Sequence, residues 1–270
     1  MSIIRAGLST ASLPYADHVR LVASDQPFRW LGLGWRDFIA APVVSVCYGL
    51  LFVVVGLGLT AGLWHTNSIY LLFPLAAGFM LLGPALTIGF QAISRDLERH
   101  ERPSFIRALL AWRVNAGAIL HAGLTLTLVF LIWLRLAQLA FALTIFHTTG
   151  LDVQSLLNAT FFTINGLAFV ALLLALGAAL AAAVFTAGAF ALPMLLDRRV
   201  DMLEAIATSF TAVMVNLPAM LVWAAMLVLL TAAGMAMFFV GLAVTLPLAG
   251  HATWHAYRAV IKSAEGSAVR

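Results

Sequence analysis

A chain of 270 residues that is 63% hydrophobic and only 10% charged, with a mean hydropathy of +1.03, lies outside the soluble range, where charged residues make up about a quarter of the chain. Lipid must be the solvent for most of it, and several uncharged runs exceed the ~18 residues needed to cross ~30 Å of hydrocarbon, which favours helices over the short alternating strands of a β-barrel. The net charge of +4 does not indicate a nucleic-acid partner, because no soluble basic domain is present and topology accounts for the charge.

The first segment, residues 1–39, carries Arg5, Arg20 and Arg29 but no apolar run ending in a small-residue cleavage site, so it is expected to be retained. Within it Phe28 to Phe38, with Trp30 and Trp35, reads as an interfacial helix. Residues 40–257 hold the transmembrane domain, a six-helix all-α polytopic bundle, and 258–270 form a short tail. Span one runs from Ala40 to Leu63, a polar turn from Trp64 to Ser68 follows, and span two runs from Ile69 to about Phe90. Cys47, the one cysteine, lies within the first apolar run, which excludes an internal disulfide and a CxxC motif.

A charged elbow, Arg95 to Arg102, leads into an amphipathic stretch from Pro103 to Arg113 and a third span from Val114 to Leu134. After a loop with His147, Thr148, Thr149, Gly150 and Asp152, the fourth uncharged run, Phe161 to Leu196, is too long for one straight crossing at 1.5 Å per residue. It should tilt, kink at Pro193 or project from the membrane. A second elbow, Asp197 to Asp201, precedes another amphipathic turn in which Asp201 and Glu204 have capping-box spacing. The run from Ala212 to Tyr257 is long enough for two spans, divided by a tight turn near Thr231 to Gly234.

Lys and Arg accumulate on the cytoplasmic side of membrane proteins. With six spans, Arg5, Arg20, Arg29, Arg36, Arg95, Arg99, Arg102, Arg107, Arg113, Arg198, Arg199, Arg258, Lys262 and Arg270 fall on one side and Arg135 on the other, which places both termini in the cytoplasm. A weak internal repeat accompanies this order: a shift of 101 residues superimposes Asp96 on Asp197 and Asn115 on Asn216. Three modules are expected, each an interfacial helix feeding a hairpin of spans.

The string from Gly250 to Arg258, Gly-His-Ala-Thr-Trp-His-Ala-Tyr-Arg, together with Gly34-Trp35-Arg36-Asp37, Ile93 to Arg99 and Leu196 to Asp201, resembles the bacterial family of predicted integral membrane proteins termed domain of unknown function 2189. The resemblance extends over nearly all of the chain after about residue 30. It implies a six-helix bacterial inner-membrane protein and no established activity. The chain departs from the pattern at His100, where glycine is expected.

Candidate chemistry is sparse. His251 and His255 share a helical face, and His121 in span three lies at a similar depth, so the three are candidate metal or haem ligands. The alternative is that they hydrogen-bond neighbouring helices or sit at headgroup level. Asn115 and Asn216 either line a polar vestibule or make interhelical hydrogen bonds. Arg95, Arg99, Arg102, Arg198, Arg199 and Arg258 read as cytoplasmic anchors, with anionic lipid or an acidic partner surface as alternatives. No Asp or Glu lies within the spans, and no phosphate loop, dinucleotide fingerprint or covalent triad is present. No cofactor is implied beyond the haem or metal alternative. An accessory or assembly role in a membrane complex, a small-solute transporter or channel, and a histidine-dependent haem or metal protein remain, with the bilayer and a complex partner or second copy as partners. Alkaline phosphatase, active only outside the cytoplasm, is expected to be active when fused after Thr66 and inactive when fused after Arg270; the reverse pattern overturns the orientation.

Overall fold

The computed structural model describes residues 13–144 and 153–262. The loop with His147 to Asp152 and the tail beyond Lys262 lie outside them. The described residues are helical apart from turns, short irregular links at 20–23, 101–104 and 199–201, and one isolated antiparallel bridge between Val19 and Ile261. The chain is thus a polytopic helical membrane protein.

Three hairpins follow one another. Helix α1 (Gln26–Ala40) leads through the single residue Ala41 into α2 (Pro42–His65), which returns through α3 (Leu72–Leu86) and α4 (Ile88–Glu98). A short α5 (Phe105–Leu109) and a tight turn of helix at Ala111–Asn115 lead into α6 (Ala116–Thr144). The chain comes back through α7 (Val153–Phe162), α8 (Ile164–Gly188) and α9 (Ala191–Asp197). Finally α10 (Met202–Val215) feeds α11 (Leu217–Ala236) and α12 (Leu242–Val260). Asp201 caps α10 by accepting the amide of Glu204 on Oδ1 at 2.8 Å, as the capping spacing predicts.

The third span continues past Arg135 to Thr144. The long fourth run resolves its excess by breaking at Ala189 and Phe190, so that Pro193 falls in the first turn of α9, where its missing N–H costs nothing. The second span breaks at Thr87, after Pro84. These breaks obey the 101-residue repeat to within a residue or two, and they lie side by side: a Cβ on Gly188 would stand 3.6 Å from the Pro84 ring. The last turn is not at Thr231 to Gly234 but at residues 237–241, with Phe238 and Phe239 at φ 52° and 64°. Gly234 stays helical because it serves close approach instead; a Cβ on Gly241 would lie 2.8 Å from the Cα of Gly234.

Five stretches are long and apolar enough to cross a membrane: Pro42–His65, Ile69–Glu98, Ala111–Thr144, Ile164–Asp197 and Leu217–Ala236. Helix α12 is long enough but more polar. The bridge decides its status, since Val19 and Ile261 are paired and must lie on one side of the membrane, which requires an even number of crossings between them. Helix α12 is the sixth. It tolerates His251, Thr253 and Trp254 because they are buried in protein rather than lipid.

The described residues form two compact units. The first draws on residues 13–53, 84–122 and 185–262. Its core is the convergence of the three returning limbs, α4, α9 and α12, which pack on one another while α1 and α11 cover α12. Trp30 meets Trp223 edge-on at 5.7 Å, and Phe90, Phe190, Leu195, Leu196, Trp254 and Tyr257 are fully buried. The second unit, residues 54–83, 123–144 and 153–184, is held by Trp133, whose indole donates to the Pro74 carbonyl at 2.7 Å, and by Phe141 against Phe169. Most of its apolar side chains point outward, as lipid-facing residues must.

Close approach of α1 to α12 depends on Gly34, where an added Cβ would lie 2.6 Å from the backbone nitrogen of Ala252. Backbone cannot step aside, so Gly34→Ala is expected to destabilise the protein by about 1–3 kcal/mol. Gly32→Ala, on the open face of the same helix, should be neutral or stabilising. Thermal unfolding of both variants in mild detergent checks this, and equal melting temperatures would remove Gly34 from the packing argument.

Candidate functional site

The motif strings meet at one place. Helix α12 presents His251, Trp254, His255 and Arg258 at three- and four-residue spacing along one side, with Tyr257 beside them. Gly250 lets α4 approach, since its Cβ would lie 2.5 Å from the Cβ of Phe90, and Gly34 does the same for α1. Asp37 of α1 and Ser94 of α4 are thereby brought against the polar side of α12.

A chain of hydrogen bonds results. Ser94 Oγ donates to Asp37 Oδ2 at 2.6 Å and lies 2.9 Å from His251 Nδ1. With its one proton given to the carboxylate, Ser94 can only accept from the imidazole, so Nδ1 carries hydrogen. Nε2 of the neutral ring is then an acceptor, and Ser45 of α2 donates to it at 2.9 Å. His255 Nε2 donates to the same Asp37 oxygen at 2.8 Å. Ser45 and His251 have no exposed surface, and Ser94 is 1% exposed.

A second tier is ionic. Glu98 accepts from the Trp254 indole at 2.8 Å and from Arg258 at 2.8 Å. Asp197 accepts from the Tyr257 hydroxyl at 2.7 Å and has Arg258 and Arg198 within 3.6 and 3.7 Å and Arg99 at 3.9 Å. Arg198 also donates to the Tyr257 oxygen at 3.0 Å. Arg95 donates to the Leu196 carbonyl at 2.8 Å, and Arg107 joins Asp96 to Glu101. The end of each returning limb is thus tied to another.

The candidate residues divide accordingly. His251 and His255 share the network through Asp37 and Ser94. His121 is exposed on α6, and none of the hydrogen bonds that hold the other two histidines involves it. Among the described residues no group of three or more His, Cys, Asp or Glu side chains could hold a metal ion. Asn115 and Asn216 do similar work in different places. Asn115 donates to the Val200 carbonyl in the second elbow at 3.1 Å. Asn216 is buried and clips the extended N-terminal segment, accepting from Val22 N at 2.8 Å and donating to Arg20 O at 3.0 Å. Of the arginines read as anchors, Arg95, Arg99, Arg198 and Arg258 engage the limb ends, whereas Arg102 and Arg199 are exposed.

Residues 72–197 match the family model described as predicted integral membrane protein (DUF2189). Over that segment the chain is similar to that family. The match includes the first elbow string and ends at Asp197, two residues into the second, and takes in neither Gly34 to Asp37 nor Gly250 to Arg258, so it is shorter than the resemblance implied. The comparisons with curated proteins and with solved structures found no match.

Sequence reasoning missed Asp37, Ser45, Ser94, Asp197 and Tyr257 as partners. Four of them stand inside the motif strings, which was the available signal. Ser45, in an apolar run, gave none. Chemically, Ser45 on His251 Nε2 has the arrangement of a hydroxyl activated by a base. Both groups are fully buried, and the arrangement joins α2 to α12.

His251→Ala strips partners from two buried hydroxyls and leaves a cavity, and should lower stability by about 2–4 kcal/mol. His255→Ala removes one of two donors to a partly exposed carboxylate and should cost about 1–2 kcal/mol. Melting temperatures in mild detergent should fall in that order; the opposite order would contradict the hydrogen-bond assignment.

Proposed function

We infer that the protein is a non-catalytic accessory or assembly component of a membrane complex, set in a bacterial inner membrane with both termini in the cytoplasm. One observation carries the reading: where α1, α4 and α12 meet, the imidazole of His251 and the carboxylate of Asp37 are occupied by neighbouring side chains. His251 has a hydroxyl on each ring nitrogen, and Asp37 receives both Ser94 and His255. Binding and catalytic sites leave convergent polar groups open to a ligand. A scaffold uses them to fix its helices against each other.

The histidine-dependent haem or metal reading is less well supported, because a metal at His251 would have to displace Ser45 or Ser94 from a ring nitrogen. Small-solute transport is the second reading, favoured by the paired breaks at Thr87 and at Ala189–Phe190. Discontinuous helices in corresponding repeat positions are the usual pointer to a transport path. The breaks are closed by side chains: Ser209 accepts the Phe190 amide at 3.1 Å and donates to the Thr186 carbonyl at 3.0 Å, and Thr87 accepts from Gln91 at 3.3 Å. That closure again suits a rigid component.

Native mass and composition of the protein, extracted in mild detergent from its own membranes at endogenous level, tests the reading. A stable larger assembly containing other chains is expected. A lone monomer or homo-oligomer would overturn it and move the weight to transport.

A further inference from the structure

The arginines near the limb ends fall into two sets. Arg95, Arg107, Arg198 and Arg258 reach carboxylates. Arg29 and Arg36 of α1 reach none; both are exposed, and among the described residues neither guanidinium has a hydrogen-bond or ion-pair partner. Two free cations on one short helix call for an anion.

The rest of α1 says which anion. The helix ends one residue before α2, a membrane span, so it lies at the membrane face. Its inner side, Pro27, Trp30, Gly34 and Phe38, is buried, packed on α12 and α11. Its outer side carries Phe28, Trp35 and Ile39, spaced by seven and four residues and exposed to 63%, 45% and 59%. Arg29 and Arg36 each follow one of the two aromatics by one residue and flank the stripe along its length. The acidic residue within α1, Asp37, points inward and is held by Ser94 and His255. From its first turn onward the outer face is therefore apolar and cationic, with the exposed N-cap Asp25 at its leading end.

Such a stripe has a specific complement: rings and aliphatic groups settle at the acyl boundary while the flanking guanidinium groups rise to phosphate. The geometry points to the outer face of α1 as a binding site for anionic phospholipid headgroups. The same pairing recurs at the entrance to α6, where the exposed Arg113 lies over the Trp112 ring at 5.4 Å. Attraction to anionic lipid adds to apolar burial for each Arg held near the surface. The inference is independent of the accessory reading, because it concerns the outer surface of α1 and not the sealed network.

Thermal unfolding of the full-length protein in mild detergent tests it, with added phosphatidylglycerol, phosphatidylcholine or inorganic phosphate. Phosphatidylglycerol is expected to raise the melting temperature by about 4 °C more than phosphatidylcholine, with the difference shrinking in high salt. The double variant Arg29→Gln/Arg36→Gln should lose most of that difference. Arg102→Gln/Arg199→Gln should keep it. Equal shifts from the two lipids, a difference that survives the α1 substitutions, or the same shift from inorganic phosphate alone would each overturn the site. If the double variant does not survive extraction, Arg29→Gln and Arg36→Gln made singly carry the same test, each expected to lose about half of the difference.

Discussion

A carboxylate largely withdrawn from water needs hydrogen-bond donors around it, and the first unit is organised around that constraint at the part-buried Asp37. Its donors come from α4 and α12, so satisfying the charge obliges three helices to meet at fixed distances. Ser94 passes the constraint to His251, and His251 passes it to Ser45 on α2. One acid on an interfacial helix thereby sets the positions of elements drawn from both ends of the chain. Gly34 and Gly250 follow from the same demand, because hydrogen bonds below 3 Å between side chains as short as Asp and Ser require backbones nearly in contact.

Much of this architecture was legible. Hydrophobic run lengths located the spans, the spacing of charged elbows divided them into hairpins, and Asp201 with Glu204 marked the start of α10. The repeat, faint in sequence, is clearer in the matched breaks of the second and fourth spans. The turn before α12 was misplaced because Gly234 looks like a turn residue, while the real turn puts two phenylalanines in the left-handed region, which no propensity would suggest. His100 is a gentler case: it stands where glycine was expected and adopts φ 58°, the backbone that glycine would have supplied.

The site was less legible. The histidines drew attention as metal ligands because their spacing is visible in sequence, whereas their partners lie about 155 to 220 residues away on other helices. Arginines that topology alone explains as anchors proved to be of two kinds, those that neutralise Glu98 and Asp197 and those left facing outward. The positive-inside pattern cannot separate the two, since it counts charges without regard to what each one touches.

The seam that joins the two ends of the chain has a consequence for how the protein is made. Arg20 donates its amide to Val260 O at 2.8 Å, Lys262 donates to His18 O at 2.9 Å, and α1 packs along α12. Helix α1 therefore completes its contacts only once α12 has been made, and closure of the long intervening loop must precede the interactions that reward it. During synthesis α1 has to wait beside the translocation machinery with its inner face bare and Asp37 unsatisfied. A ribosome that stalls before α12 emerges leaves an intermediate with its polar groups open, of the kind that membrane quality-control proteases remove.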